Sequence, residues 1–158
     1  ILVPEIPYRI EHVVRKIDAV KKAGRGFVLI VVAESVPNES GTKVVQKYAG
    51  GASRYGGIAH FLSERLAEIT KSEIRVTVLG HVQRGAAPDS RDRLMASVFG
   101  VHAVDLVAAG KFGRMVAWQN RAVVDVALED VVAAPAMVDP DGPIVHTARG
   151  LGICLGDG

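Results

Sequence analysis

A single cysteine, Cys154, stands among the 158 residues. It has no partner for an internal disulfide, so a disulfide-stapled fold is excluded and a reducing compartment is expected. No apolar run reaches the length that spans a bilayer, and no signal-peptide pattern opens the chain; a soluble, cytoplasmic protein with no membrane partner is therefore expected. Neither sign of charge predominates, with 19 Lys and Arg against 17 Asp and Glu. The formal net charge of +2 is too small to point to nucleic acid. There is no internal repeat. His12, His102 and His146 have no neighbour at metal-ligand spacing and are assigned to structure, while His60 is expected to be a half-buried helix residue. No Gly-x-x-x-x-Gly-Lys-Ser/Thr occurs, which excludes a P-loop, and the fragment Gly24-x-Gly26 lies on the wrong side of its strand for a dinucleotide fingerprint. An initiator Met is missing as well: the chain opens on Ile1-Leu2-Val3, which reads as a strand cut in the middle of a sheet.

What is present is a hydrophobic fraction of 49%, enough for one domain with a core. Residues 1–3 read as a short strand stopped by Pro4, with Glu5 at its carboxyl end. The stripe Ile10, Val13, Val14, Ile17 and Val20 predicts a helix over 10–22, favourably ended by Lys21-Lys22 and stopped by Gly24. Residues 27–33 are continuously apolar, the pattern of a strand covered on both faces, and end at Glu34. Residues 35–57 read as a long loop rich in Gly, Ser, Pro and Asn, of the kind that tends to be functional or mobile. Ile58, Phe61, Leu62, Leu66 and Ile69 predict the next helix, directed inward. Then come a strand over 74–79 and a helix over 91–109 with Leu94, Met95, Val98, Val101, Leu106 and Val107 at helical spacing. Strands over 116–118 and 123–126, a helical turn over 128–133 ended by Pro135, a proline-rich connector and an apolar segment over 144–155, read as a last helix, complete the chain. This order predicts an α/β fold, a three-layer sandwich with a mostly parallel sheet.

The chain is organised around 75–93. A strand there delivers His81, Gln83 and Arg84 into a short turn, closed by Gly85 and Pro88, at the mouth of a helix. A helix N-terminus offers unpaired N–H groups and a positive dipole end. Arg84 offers a planar fork for phosphate oxygens, and His81 a donor whose charge can follow the phosphate. Arg75, Arg91 and Arg93 thicken the positive field. Together they suggest an anion site, against the plainer reading of a surface turn with solvated arginines. Glu34, at the carboxyl end of a strand, stands where open α/β sheets place ligands and where a carboxylate can accept from sugar hydroxyls.

The stretch Leu79-Gly80-His81-Val82-Gln83-Arg84-Gly85, followed by Pro88 and Asp92-Arg93, resembles the signature region of the 6-phosphofructokinases. Pro4-Glu5, Val31-Val32-Ala33-Glu34, Gly56-Gly57-Ile58 and Thr147-Ala148-Arg149 extend the resemblance along the whole chain, which corresponds to the C-terminal portion of the family's catalytic unit. The resemblance implies the partial phosphofructokinase fold. It also implies phosphoryl transfer to the 1-hydroxyl of fructose 6-phosphate, with Mg²⁺ and ATP or pyrophosphate as donor in the full enzyme. By the same resemblance Glu34 holds the fructose ring, and His81 and Arg84, with Val82 and Gln83 beside them, hold the phosphate side. Arg75 would reach the sugar phosphate of a neighbouring subunit in a homo-oligomer, although a strand-start Arg paired with a local carboxylate is the simpler reading. Arg25, with Lys21 and Lys22, lies where family members place an effector site; a solvated helix end is the alternative.

The family's Asp-rich base motif and Gly-rich donor loop are absent from these residues, so no catalytic residue is assigned and the chain alone is expected to lack kinase activity. Two departures stand out. Ala86 and Ala87 replace the usual Gly and Ser/Thr. A left-handed Ala86 would cost about 1–2 kcal/mol. Loss of a hydroxyl capping a helix that starts at Pro88 would cost about 1 kcal/mol, unless Asp89 complements the dipole. Two other functions fit the same residues: a sugar-phosphate-binding regulatory module or inactive subunit, and an unrelated α/β domain whose Arg turn binds another dianion.

Overall fold

The computed structural model describes residues 1–47, 53–133 and 136–158, with the side chains of 46–47 and 53–55 left out. It divides into two compact units, residues 1–78 with 137–158, and residues 79–136.

The first unit is built on two helices whose apolar stripes face one core. In α1 (Ile10–Lys22) the buried residues are Ile10, Val13 and Ile17; in α2 (Ile58–Thr70) they are Ile58, Leu62 and Leu66. Both sets recur at three- and four-residue steps, the spacing of one helix face. They pack with Leu2 and Val36, and Val28, Ile30, Val32 and Ile74 lie against the same cluster. Ile69, expected inward, is exposed. The α1 chain turns out through Gly24 at φ +78, as a left-handed C-terminal glycine should. Pro37 and Lys43 bridge across a turn, and β1 (Val45–Lys47) pairs antiparallel with β2 (Ser53–Tyr55). The segment 35–57, expected to be a long loop, therefore carries an antiparallel strand pair, with 48–52 outside the described residues.

The mostly parallel sheet is not what this unit shows. Its parallel pairing among the described residues is one bridge, Leu2 to Val32, in which the Leu2 N–H donates to the Val31 carbonyl at 2.8 Å and the Ala33 N–H donates to the Leu2 carbonyl at 3.0 Å. Residues 27–33 are covered on one face only: Val28, Ile30 and Val32 pack inward, while Phe27 and Leu29 are 81% and 79% exposed. Residues 74–79 form no ladder. A strand is made by its neighbour, and an apolar run that could serve a two-faced strand finds here a partner for one side.

A second small cluster joins the chain's two ends within this unit. Val145 of α5 (Pro143–Gly150) packs with Ile6 and Leu155. The helix expected to run to Leu155 stops at Gly150; Gly152 and Gly156 take φ of +75 and +88, and the Arg9 N–H donates to the Gly156 carbonyl at 2.8 Å.

The second unit carries the 3₁₀ turn Gly80–Arg84, then α3 (Ser90–Ala108), a hairpin of β3 (Arg114–Gln119) and β4 (Ala122–Ala127), and α4 (Leu128–Ala133). Asn120 and Arg121 both take positive φ, which gives a two-residue hairpin loop its twist. In α3 Leu106 is buried and Met95 and Val98 are half-buried, while Leu94, Val101 and Val107, which share the helical spacing, are exposed. The cause is compositional: α3 is apolar on more than one side, and a two-stranded hairpin covers one. Pro135, expected to end α4, lies outside the described residues. Among the described residues no helix is long and apolar enough to cross a membrane.

Candidate functional site

The turn and the helix it feeds are shaped by short-range chemistry. Gly80 opens the 3₁₀ turn at φ +50, a left-handed conformation that favours glycine. The Val82 N–H donates to the Leu79 carbonyl and the Gly85 N–H to the Val82 carbonyl, each at 3.1 Å. These bonds wind His81, Val82, Gln83 and Arg84 into one tight coil whose side chains are all exposed. Neither His81 nor Arg84 has a side-chain partner among the described residues. The structure thus brings the four expected residues together and leaves their donors free.

The helix mouth differs from expectation. α3 begins at Ser90 with Asp89 as its N-cap, not at Pro88 with Ala87 as cap. The Asp92 N–H donates to Asp89 Oδ1 at 2.9 Å, and the Asp89 N–H donates to Asp92 Oδ2 at 3.1 Å. This is a reciprocal capping box, with a carboxylate at each corner. Ala87 therefore costs no cap, and Ala86, which has no positive φ, carries no left-handed strain. The spacing Asp89-x-x-Asp92 would have announced the box in the sequence. Its consequence is chemical: two of the N–H groups expected to greet an anion are already bonded to the chain's own carboxylates. The donors this turn leaves free are the Arg84 and His81 side chains.

Glu34 and Arg75 belong to the first unit. Glu34 is exposed, two residues beyond the Val32 bridge and so at the carboxyl end of that short parallel pairing. Arg75 pairs with Glu73 through Nε at 3.0 Å and Nη2 at 2.9 Å, and the two side chains are 86% and 76% exposed. The simpler reading of Arg75, a local ion pair, is what the structure holds. Arg25 is exposed just beyond α1, with its N–H bonded to the Val20 carbonyl at 3.3 Å, while Lys21 Nζ reaches Ser72 Oγ at 2.6 Å. Glu5 accepts the Val138 N–H on Oε1 at 3.1 Å, and its Oε2 is buried without a partner. Among the described residues no group of three His, Cys, Asp or Glu is arranged to hold a metal ion.

Comparison with known proteins places these features in context. The family model described as Phosphofructokinase matches residues 1–107. A protein named ATP-dependent 6-phosphofructokinase 1 from a Synechocystis species is 52% identical over 157 residues, covering 99% of this chain and 44% of that protein. ATP-dependent 6-phosphofructokinase 2 of Clostridium perfringens is 42% identical over 161 residues, and the ATP-dependent 6-phosphofructokinase of Chloroflexus aurantiacus 41% over 157. The chain covers 44% and 43% of those two proteins, so it spans less than half the length of the curated relatives it matches.

Proposed function

The chain belongs to the phosphofructokinase family, and from that premise we propose that it supplies the fructose 6-phosphate side of phosphoryl transfer from ATP to the sugar's 1-hydroxyl. The observation that carries this reading is the 81–84 turn, which displays a guanidinium and an imidazole without internal partners in a member of this family. ATP is preferred over pyrophosphate as donor because the relatives are named for it.

Residue by residue, Arg84 is assigned to two oxygens of the sugar phosphate and His81 to a third, with Val82 and Gln83 holding the turn's outer face toward the sugar. Glu34 is assigned to a sugar hydroxyl. Arg75 is assigned to the sugar phosphate of a neighbouring copy in a homo-oligomer. Its pairing with Glu73 does not oppose this, because an ion pair so exposed is worth under about 1 kcal/mol and is readily exchanged. No donor-side role is assigned to this stretch, whose sequence has no Gly-rich donor loop or Asp-rich base motif. The chain's part in the reaction is thus binding and positioning of the acceptor, and no catalytic residue is assigned to it.

Calorimetric titration with fructose 6-phosphate tests the assignment. Saturable binding should weaken at least about tenfold in Arg84→Ala, since a charge-assisted fork is lost. Equal affinity in the two proteins would reject it. A coupled assay with the purified chain and ATP should detect no fructose 1,6-bisphosphate; turnover would show that the donor side is present after all.

A further inference from the structure

In the first unit, α1 and the segment 149–158 enclose a groove of about 750 Å³ that includes none of the residues of the 80–84 turn. Its size falls within the range of small-molecule sites. The charged side chains of the lining are one-sided: Arg15 and Lys16 from α1 and Arg149 from the end of α5, against the single side-chain carboxylate of Asp157. His12 adds a ring whose Nδ1 is buried without a partner.

Much of this donor set is uncommitted. Lys16 Nζ spends one proton on the Gly152 carbonyl at 2.7 Å. Arg149 gives Nη1 to the Pro140 carbonyl at 3.2 Å and Nη2 to Asp157 Oδ2 at 2.6 Å. The Arg15 side chain has no partner among the described residues. Ile153 and Leu155 supply an apolar wall beside these cations. Two guanidiniums and an ammonium exceed what one side-chain carboxylate can satisfy, and donors of this kind match an anion with several oxygens. Asp157 then acts as an internal occupant, which a more highly charged oxyanion can displace from Arg149.

We infer that this groove binds a small phosphate-bearing molecule, held by Arg15, Lys16 and Arg149 in competition with Asp157. The inference goes beyond the acceptor role proposed above and does not depend on it.

The test is calorimetric titration of inorganic pyrophosphate, at constant ionic strength and without divalent cations, into the chain carrying Arg84→Ala. That background removes the turn's guanidinium fork, which holds two of the three phosphate oxygens assigned to the turn. One saturable site should remain. Adding Arg15→Ala should weaken it about tenfold, and adding Asp157→Asn should tighten it about threefold by removing the competitor. The second variant moves affinity upward, so a folding defect cannot imitate it. No saturable heat on the Arg84→Ala background, or an affinity that fails to move in the stated direction with either added substitution, would overturn the inference. Either result leaves the fructose 6-phosphate reading untouched, because that reading is judged with a different ligand, by comparing the unaltered chain with Arg84→Ala.

Discussion

Gly156 is the position where a single methyl group should be felt most. A Cβ built there would lie 2.5 Å from Tyr8 Cβ and 2.9 Å from Leu2 Cδ2, and the backbone is held at φ +88. Gly156→Ala therefore carries two separable costs. The left-handed backbone costs about 1–2 kcal/mol for an L residue, and overpacking of a fixed neighbour costs about 1–3 kcal/mol more. Tyr8 Cβ and the Leu2 side chain cannot swing away easily, because Leu2 is buried in the main core and Tyr8 packs against it. The sum, about 2–5 kcal/mol, is a large share of the roughly 5–15 kcal/mol that a domain has. Gly152 is the control. It has φ +75, but a methyl added there would meet nothing within 4 Å, so Gly152→Ala should cost the backbone share alone, about 1–2 kcal/mol. Urea unfolding followed by far-ultraviolet circular dichroism should show the midpoint falling in the order wild type, Gly152→Ala, Gly156→Ala. With a slope of about 1–3 kcal/mol per molar, the last should lose on the order of 1–2 M. Equal midpoints for the two variants would refute the reasoning, since they share the conformational cost and differ in the contact.

Leu66→Ala, at a core position 2% exposed, should cost about 2–5 kcal/mol by the same urea measurement, whereas Ile69→Ala on the exposed side of that helix should cost far less. Asp89→Ala should destabilise the protein by about 1 kcal/mol through loss of the α3 cap, and Asp89→Ser should restore most of it; recovery without a capping side chain would show the box to be idle. Arg114 Nε bonds Asp125 Oδ2 at 2.7 Å across the β3–β4 hairpin, and that bond holds the Asp125 carboxyl below its ordinary value. The stabilisation is present above the unfolded-state carboxylate range and is lost as pH falls through the depressed folded value. Protection factors of the hairpin amides, taken relative to the intrinsic exchange rate at each pH, should accordingly fall on acidification, and Asp125→Asn should flatten that fall.

The helices are legible in the sequence because their information is local. Ile10, Val13 and Ile17 mark one face of α1 at the spacing of the helix itself, and Ile58, Leu62 and Leu66 do the same for α2. The hairpin after Trp118 and the order of residues in the 80–84 turn are legible for the same reason. The N-cap expected at Ala87 stands instead at Asp89, and the local spacing Asp89-x-x-Asp92 is a stronger signal for it than the family pattern.

Other features depend on partners far along the chain. Whether 27–33 is covered on one face or two depends on what lies across from Phe27 and Leu29, and an apolar run looks alike in both cases. Which sides of α3 are covered is equally undetermined by its own residues, because the helix is apolar on several of them. By itself the sequence determined the buried faces of α1 and α2, the family and which donors stand in the His81–Arg84 turn, all of which rest on residues within a few positions of one another. Only the tertiary structure decided that Asp157 is set against Arg149 beside Arg15 and Lys16, and that Gly156 admits no side chain. Both follow from contacts between residues as much as 154 positions apart, which no local spacing encodes.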